Sequence, residues 1–209
     1  MPQPRLLVAT TNRGKLREIF DILENLPVTL LTLADYPDLP EPEETGTTFA
    51  QNARIKAQAY AAATGELTVA EDSGLEIDSL DDEPGVQSAR FNGESYPEKF
   101  AVIEQMLADR GTDSSAARFV AALALVTPAR VMWETTGIVE GRLRLPARGT
   151  SGFGYDPIFF YPPYGRVFAE VSPAEKTAAS HRGQAFRQLH NYLQRAFELT
   201  PHAQPPSIG

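Results

Sequence analysis

Thr10-Thr11-Asn12-Arg13-Gly14-Lys15 gathers two hydroxyls, an amide, a glycine and two cations into six residues. It lies between an apolar run and a helical pattern, where free backbone N–H groups and the helix dipole favour an anion. Lys15 adds a point charge suited to phosphate. This is not a Walker A loop, because the first glycine of that pattern is absent and Leu16 stands where it needs Ser or Thr. The bland alternative is a solvated turn with a surface lysine. Glu71-Asp72-Ser73-Gly74 follows a second apolar run, and carboxylates at the end of a buried strand lie where α/β sheets place ligands. A hard oxygen ligand there suits Mg²⁺, with Glu43 or Glu44 available as a second carboxylate. Against this, Asp72 reads equally as a turn residue bonding its own backbone, and the two glutamates as a solvated acidic loop.

Two later stretches add an aromatic and cationic character. Ser151-Gly152-Phe153-Gly154-Tyr155-Asp156-Pro157 brackets two aromatics and a carboxylate with glycines. Glycine lets backbone approach a ligand closely, and an aromatic face stacks on a base; aromatics filling a core explain the same stretch. Lys176 and Ser180-His181-Arg182 place three potential cations near a junction of two helices. Ordinary helix-surface charge is the alternative.

The elements that must carry these stretches follow from periodicity. Leu6–Ala9 and Leu67–Ala70 read as short buried strands, with helices after each loop or before it: Leu16, Ile19, Phe20 and Leu23 at helical spacing up to Pro27, and an alanine-rich helix from about Thr48 to Ala63 closed by Gly65. Three prolines make 35–46 irregular, and Asp81–Gly85 is a turn. Ser95 and Pro97 open a third helix. Phe119–Val126 is a strand, Pro128 a turn, and Val131, Trp133 and Thr135 its antiparallel partner, extended by Ile138–Leu145. Ile158–Tyr161 is a last strand. Ser172-Pro173-Ala174-Glu175 is a capped helix start, and a final helix carries Phe186, Leu189, Leu193 and Phe197. The chain reads as an α/β domain on a mixed sheet over 1–199, with a disordered tail over 200–209.

Composition narrows the partners. The net charge of −8 argues against nucleic acid and anionic membranes, although a local basic pocket still admits a small anion. No cysteine and three histidines exclude disulfides and thiolate or poly-histidine metal sites. With no signal-peptide pattern and no run long enough to span a bilayer, a cytoplasmic protein is expected.

In order along the chain, Thr10-x-Asn12-x-x-Lys15, Glu71-Asp72-Ser73-Gly74-Leu75, Pro84-Gly85-x-x-Ser88-Ala89-Arg90, Gly152-Phe153-Gly154-Tyr155-Asp156-Pro157 and Ser180-His181-Arg182 resemble the inosine triphosphate pyrophosphatase family, from about Leu6 to Phe197. The resemblance implies hydrolysis of non-standard purine nucleoside triphosphates (ITP, dITP, XTP) to monophosphate and pyrophosphate, with Mg²⁺. It implies an elongated mixed β-sheet with flanking helices forming two lobes around a central cleft, and a homodimer. It places Thr10, Thr11, Asn12, Arg13, Gly14 and Lys15 on the triphosphate, Lys56 on phosphates, and Ser73 on substrate. Asp72 becomes metal ligand and proton acceptor, with Glu43, the first acid of Glu-Glu-Thr-Gly, as second ligand. Phe153, Gly154, Tyr155, Asp156, Lys176, His181 and Arg182 become the base and sugar pocket. Thr11 and Phe91 depart from the family's usual residues without removing a reacting group. Rival readings are a Maf-like pyrophosphatase for modified pyrimidine nucleotides, a phosphatase releasing only the γ-phosphate, and a non-catalytic nucleotide-binding module.

Overall fold

A computed structural model describes residues 3–199, with no side-chain description for 198 and 199. The tail expected to be disordered lies outside the described residues.

A seven-stranded sheet runs through the molecule in the order β2-β1-β3-β4-β5-β6-β7. Its strands are β1 (Arg5–Val8), β2 (Thr29–Thr32), β3 (Leu67–Ile77), β4 (Ala116–Thr127), β5 (Arg130–Leu143), β6 (Phe159–Tyr161) and β7 (Arg166–Val167). β1 pairs in parallel with β2 and β3, and every later pair is antiparallel. The mixed sheet expected from the sequence is therefore present. β2 and β7 were not anticipated: each is very short, and β2 buries no residue fully, so neither carries an alternating pattern.

The larger difference concerns β3. The sequence suggests a buried strand ending at Ala70 and a further extended segment with Leu75, Ile77 and Leu80, but one strand runs unbroken through Glu71-Asp72-Ser73-Gly74 and ends at Ile77, every residue from Thr68 paired with β4. β4, buried along almost its whole length, supplies the ladder that holds this polar stretch extended. β1 stops at Val8, opposite Val69, so β3 beyond that point is not covered by β1.

Successive strand residues face opposite sides of a sheet. Val69, Leu75 and Ile77 share one face of β3, and Ala70 lies on the other. On the first face, α1 (Arg13–Leu23) and α5 (His181–Leu199) bury Ile19, Leu23, Phe186 and Leu189 against Val69, Leu123 and Leu125. Farther along that face, α3 (Tyr96–Asp109) contributes Phe100, Ile103 and Leu107 to a second core with Leu75, Phe119, Phe159 and Phe168. Between these two cores the face-lining residues of β3 are Glu71 and Ser73. On the opposite face α2 (Phe49–Thr64) packs Phe49, Ala53, Ala57 and Tyr60 on Ala70, Ala122 and Ala124. Small alanines on both sides bring this helix close. A short α4 (Pro173–Ala179) precedes α5, and the lone extended residue Ser180 ends one helix and caps the next, its Oγ accepting from the Gly183 N–H. Among the described residues no helix is long and apolar enough to cross a membrane.

Candidate functional site

One cavity of about 270 Å³ opens beside the uncovered part of β3 and takes side chains from both faces of the sheet. Because residue parity alternates, neighbouring Glu71 and Asp72 point to different halves of it.

The half toward α2 holds the carboxylate pair. Asn52 Nδ2 donates to Asp72 Oδ2 at 3.1 Å, and Lys56 Nζ stands 3.5 Å from Asp72 Oδ1 and 2.8 Å from Glu44 Oε1. Asn52 and Lys56 are four residues apart, on one face of α2. Arg90, from the turn after β3, donates to Glu44 Oε2 at 2.7 Å. Burial pushes the Asp72 carboxyl above its ordinary value, more than the Lys56 charge and the Asn52 bond pull it down. Glu44 goes the other way: burial alone would raise it, but Lys56 and Arg90 outweigh this and hold it below the usual range. The sequence-level choice of Glu43 as second carboxylate needs correction in place, since Glu43 is exposed and it is Glu44 that faces Asp72 across Lys56. In an irregular Pro-rich loop no periodicity separates the two.

The floor is formed by the loop after β1. Asn12 caps α1, its Oδ1 accepting from Gly14 N (2.8 Å) and Lys15 N (3.1 Å). The helix thus begins at Arg13, inside the stretch expected to be loop. Thr10, Thr11, Asn12 and Lys15 line the cavity, whereas Arg13 is exposed and faces away from it. Gly14 is needed for a close approach: a Cβ there would stand 2.8 Å from the Phe153 ring. Lys15 Nζ donates to Ser73 Oγ at 3.0 Å and pairs with Glu71 at 3.3 Å. Burial lowers the Lys15 pKa against the pull of Glu71.

The half toward α5 is a buried charge cluster. Arg182 holds Glu71 through two bonds, Nε to Oε2 at 2.8 Å and Nη2 to Oε1 at 2.7 Å, and reaches Glu18 on α1 at 2.7 Å. Lys176 pairs with Asp156 at 2.6 Å and with Glu18 at 3.0 Å. Three carboxylates (Glu18, Glu71, Asp156) are thereby matched by three cations (Lys15, Lys176, Arg182). Burial works to raise Glu71, but the charges of Arg182 and Lys15 overcome it and hold the carboxylate well below its ordinary range. Asp156 is raised by burial despite Lys176. Lys176 Nζ and the Arg182 guanidinium sit over the Phe153 ring, 4.1 and 5.3 Å from its centre. Asp156 Oδ2 also accepts from Phe153 N, fixing the loop, and buried Tyr155 donates to Ser88 O at 2.8 Å. His181 stacks on Phe119 at 4.8 Å, and its buried Nδ1 has no hydrogen-bond partner. Burial, reinforced by the Arg182 charge, keeps this imidazole neutral.

Thus Thr10, Thr11, Asn12, Lys15, Lys56, Asp72, Ser73, Phe153, Gly154, Tyr155, Asp156, Lys176, His181 and Arg182 converge on one cavity, and Arg13, Gly14 and Glu43 do not line it. Sequence reasoning missed Glu18, Asn52 and Tyr96, and gave Arg90, quoted in one of the blocks, no role. Glu18 was legible in principle, one helical turn after Lys15 on the same side of α1. Chemically, the cavity joins a cationic, carboxylate-bearing end to an aromatic, hydrogen-bonding end.

Known proteins resemble this chain over most of its length. The family model described as the Ham1 family matches residues 6–192. A dITP/XTP pyrophosphatase of Rhodospirillum centenum is 47% identical, covering 88% of this chain and 92% of the relative. One from Exiguobacterium sibiricum is 43% identical over 90% of this chain and 96% of its own length. The solved structure of a HAM1 protein from Coxiella burnetii superposes with a TM-score of 0.86 at 36% identity, covering 92% of this chain and 99% of that one.

Proposed function

The chain belongs to the Ham1 family, and from that premise we propose that it hydrolyses the non-standard purine nucleoside triphosphates ITP, dITP and XTP to the monophosphate and pyrophosphate. It is a nucleoside triphosphate pyrophosphatase, a hydrolase of acid anhydrides. The observation that carries this reading is the single cavity in which the Asp72–Lys56–Glu44 group and the Phe153–Lys176–Arg182 group meet, with Lys15 between them. Relatives named dITP/XTP pyrophosphatases support the substrate class.

The donor set fits Mg²⁺. Asp72 and Glu44 supply two carboxylates, and among the described residues no larger group of acids and histidines converges to make a full protein cage. Mg²⁺ is commonly held by one or two carboxylates and completes its shell with water and substrate phosphate. Bound there, it supplies charge neutralisation and polarisation of the phosphoryl group. The chain's own residues do the rest. Lys15 and Lys56 take up the negative charge that grows on the leaving pyrophosphate, a positioning and electrostatic task. Asn52 occupies Asp72 Oδ2, so Oδ1, 3.5 Å from Lys56 Nζ, is the oxygen that would accept the proton of the water attacking the α-phosphorus.

Base choice rests on hydrogen-bond direction. Hypoxanthine and xanthine carry oxygen at C6, adenine an amino group. Arg182, held in one orientation by Glu71 and Glu18, has one Nη1 N–H left over from its bonds to the protein, and this N–H and His181 offer donors to that oxygen. Facing adenine these donors stay unpaired in a buried site, at a cost of roughly 1–3 kcal/mol each. The working form we take to be a cytoplasmic homodimer, as the family resemblance implies; light scattering reads its mass. A substrate panel tests the whole reading. With Mg²⁺, ITP, dITP and XTP are expected to yield pyrophosphate at least tenfold faster than ATP. Orthophosphate as sole product, or preference for pyrimidine nucleotides, would overturn it.

A further inference from the structure

The hydrogen-bonding capacity of the aromatic half of the cavity is almost entirely taken up by the protein itself. Lys176 is paired with Glu18 and Asp156, every nitrogen of Arg182 donates to Glu18 or Glu71, and the Tyr155 hydroxyl donates to Ser88. Asp156 Oδ2 accepts from both Lys176 and Phe153. Within that half, two groups keep a polar atom with no partner among the described residues. One is His181 Nδ1, deep in the cavity. The other is the hydroxyl of Tyr96, a residue 39% exposed that also lines the cavity.

Tyr96 is held where it is by structure that has no other evident use for its hydroxyl. It is the first residue of α3, behind a reciprocal cap in which Ser95 accepts from Glu98 N and Glu98 accepts from Ser95 N. Its ring meets Tyr155 edge-on at 5.3 Å, and the Lys99 ammonium, anchored on Ala89 O at 2.6 Å, lies 5.0 Å from the ring centre. The hydroxyl leans over the Phe153–Asp156 loop, so that a Cβ placed on Gly154 would stand 3.5 Å from it. Burial, with the Asp156 charge, keeps the phenol protonated. An aromatic held against Tyr155 and Lys99 with a free O–H at a ligand cavity suits recognition, since tyrosine gives rigid contact and one polar tip at low entropic cost.

We propose that Tyr96 is a specificity-determining residue, its hydroxyl hydrogen-bonding the exocyclic oxygen at C2 of xanthine. The inference rests on the purine reading given above. With the C6 oxygen directed to His181 and Arg182, the second polar group on the same edge of the ring is the one at C2, and Tyr96 is the remaining unpaired reader. Hypoxanthine carries only hydrogen at C2 and gains nothing from the contact. Sites that hydrogen-bond a substrate group discriminate by losing that bond with the analogue lacking it.

Tyr96→Phe tests this, because it keeps the ring against Tyr155 and removes an oxygen that bonds nothing in the protein. Thermal unfolding is expected to stay at the wild-type temperature. The ratio of kcat/KM for XTP to that for ITP is expected to fall about tenfold, the size of one lost hydrogen bond. Calorimetry with xanthosine and inosine monophosphates reads the same ratio in Kd without turnover. Ratios unchanged within twofold in both measurements would overturn the contact. A wild-type protein that bound both monophosphates and released no pyrophosphate from either triphosphate would overturn the activity, while a tenfold shift in the Kd ratio would still uphold the contact.

Discussion

Asp72 and Glu44 differ in what surrounds them, and their substitutions separate accordingly. Asp72→Asn preserves the Asn52 contact and the shape but removes the proton acceptor, so kcat is expected to fall about 10²–10⁴-fold with unfolding temperature maintained. Steady-state kinetics beside a thermal melt checks both. Glu44→Gln is expected to raise the Mg²⁺ concentration needed for half-maximal activity about 10–100-fold, while Glu43→Gln, on an exposed residue, leaves it near the wild-type value. His181 gives a pH dependence whose sign can be worked out. Its folded pKa lies well below the ordinary 6.5, so on acidification the unfolded chain takes up a proton that the folded chain refuses. The stability tied to it is full above that value and drains away as pH falls from there toward the lowered folded pKa, with a slope approaching 1.4 kcal/mol per pH unit, as an order-of-magnitude figure. Denaturant titrations of the protein and of His181→Gln between neutrality and moderately acid pH should show a flatter curve for the variant; parallel curves would contradict a neutral buried imidazole.

β3 explains how much of the site the sequence could reveal. The apolar runs, the helix caps at Thr48, Ser95 and Ser172 and the β4–β5 hairpin are local signals, and they were legible. The polar stretch 71–74 reads as a strand end because polarity is what ends strands locally; only pairing with β4, around fifty residues away, keeps it extended. Once it is a strand, alternation dictates that Glu71 and Asp72 serve opposite halves of the cavity. Tyr96 was invisible for the same reason: a helix-start tyrosine means nothing until the Phe153 loop arrives beside it, and Glu18 shows only its spacing from Lys15 until α4 and α5 bring Lys176 and Arg182 to it. The approach of α5 to β5 has its own condition. At Gly137 a Cβ would collide with the backbone carbonyl of His181 and come within 2.9 Å of Ala185 N. Gly137→Ala must therefore displace the first turn of α5, and is expected to destabilise the fold by about 1–3 kcal/mol and to weaken purine binding more than free pyrophosphate binding. Equal loss for both ligands would argue against α5 as the base-side element.

Across the molecule, the charge cluster of Glu18, Glu71, Asp156, Lys15, Lys176 and Arg182 fills the gap between the two apolar cores that share one face of the sheet. A buried cluster of this kind adds little net stability, but removing one member leaves charges without partners. Arg182→Met leaves Glu71 with Lys15 alone and Glu18 with Lys176 alone, and is expected to cost about 3–5 kcal/mol, a fall in Tm of roughly 6–20 °C for a chain this size. The double variant with Glu71→Leu should recover part of it, and failure of any recovery would show that the arginine acts through packing alone. The cluster thus keeps a polar, orientable surface inside the fold, which is what recognising a purine edge requires. Cleavage itself is tested most directly by hydrolysing ITP in ¹⁸O-water with Mg²⁺ and locating the label by mass spectrometry. Water delivered from Asp72 to the α-phosphorus places ¹⁸O in the inosine monophosphate and leaves the pyrophosphate unlabelled; label in the pyrophosphate, or inosine diphosphate with labelled orthophosphate, would contradict the assignment of this site.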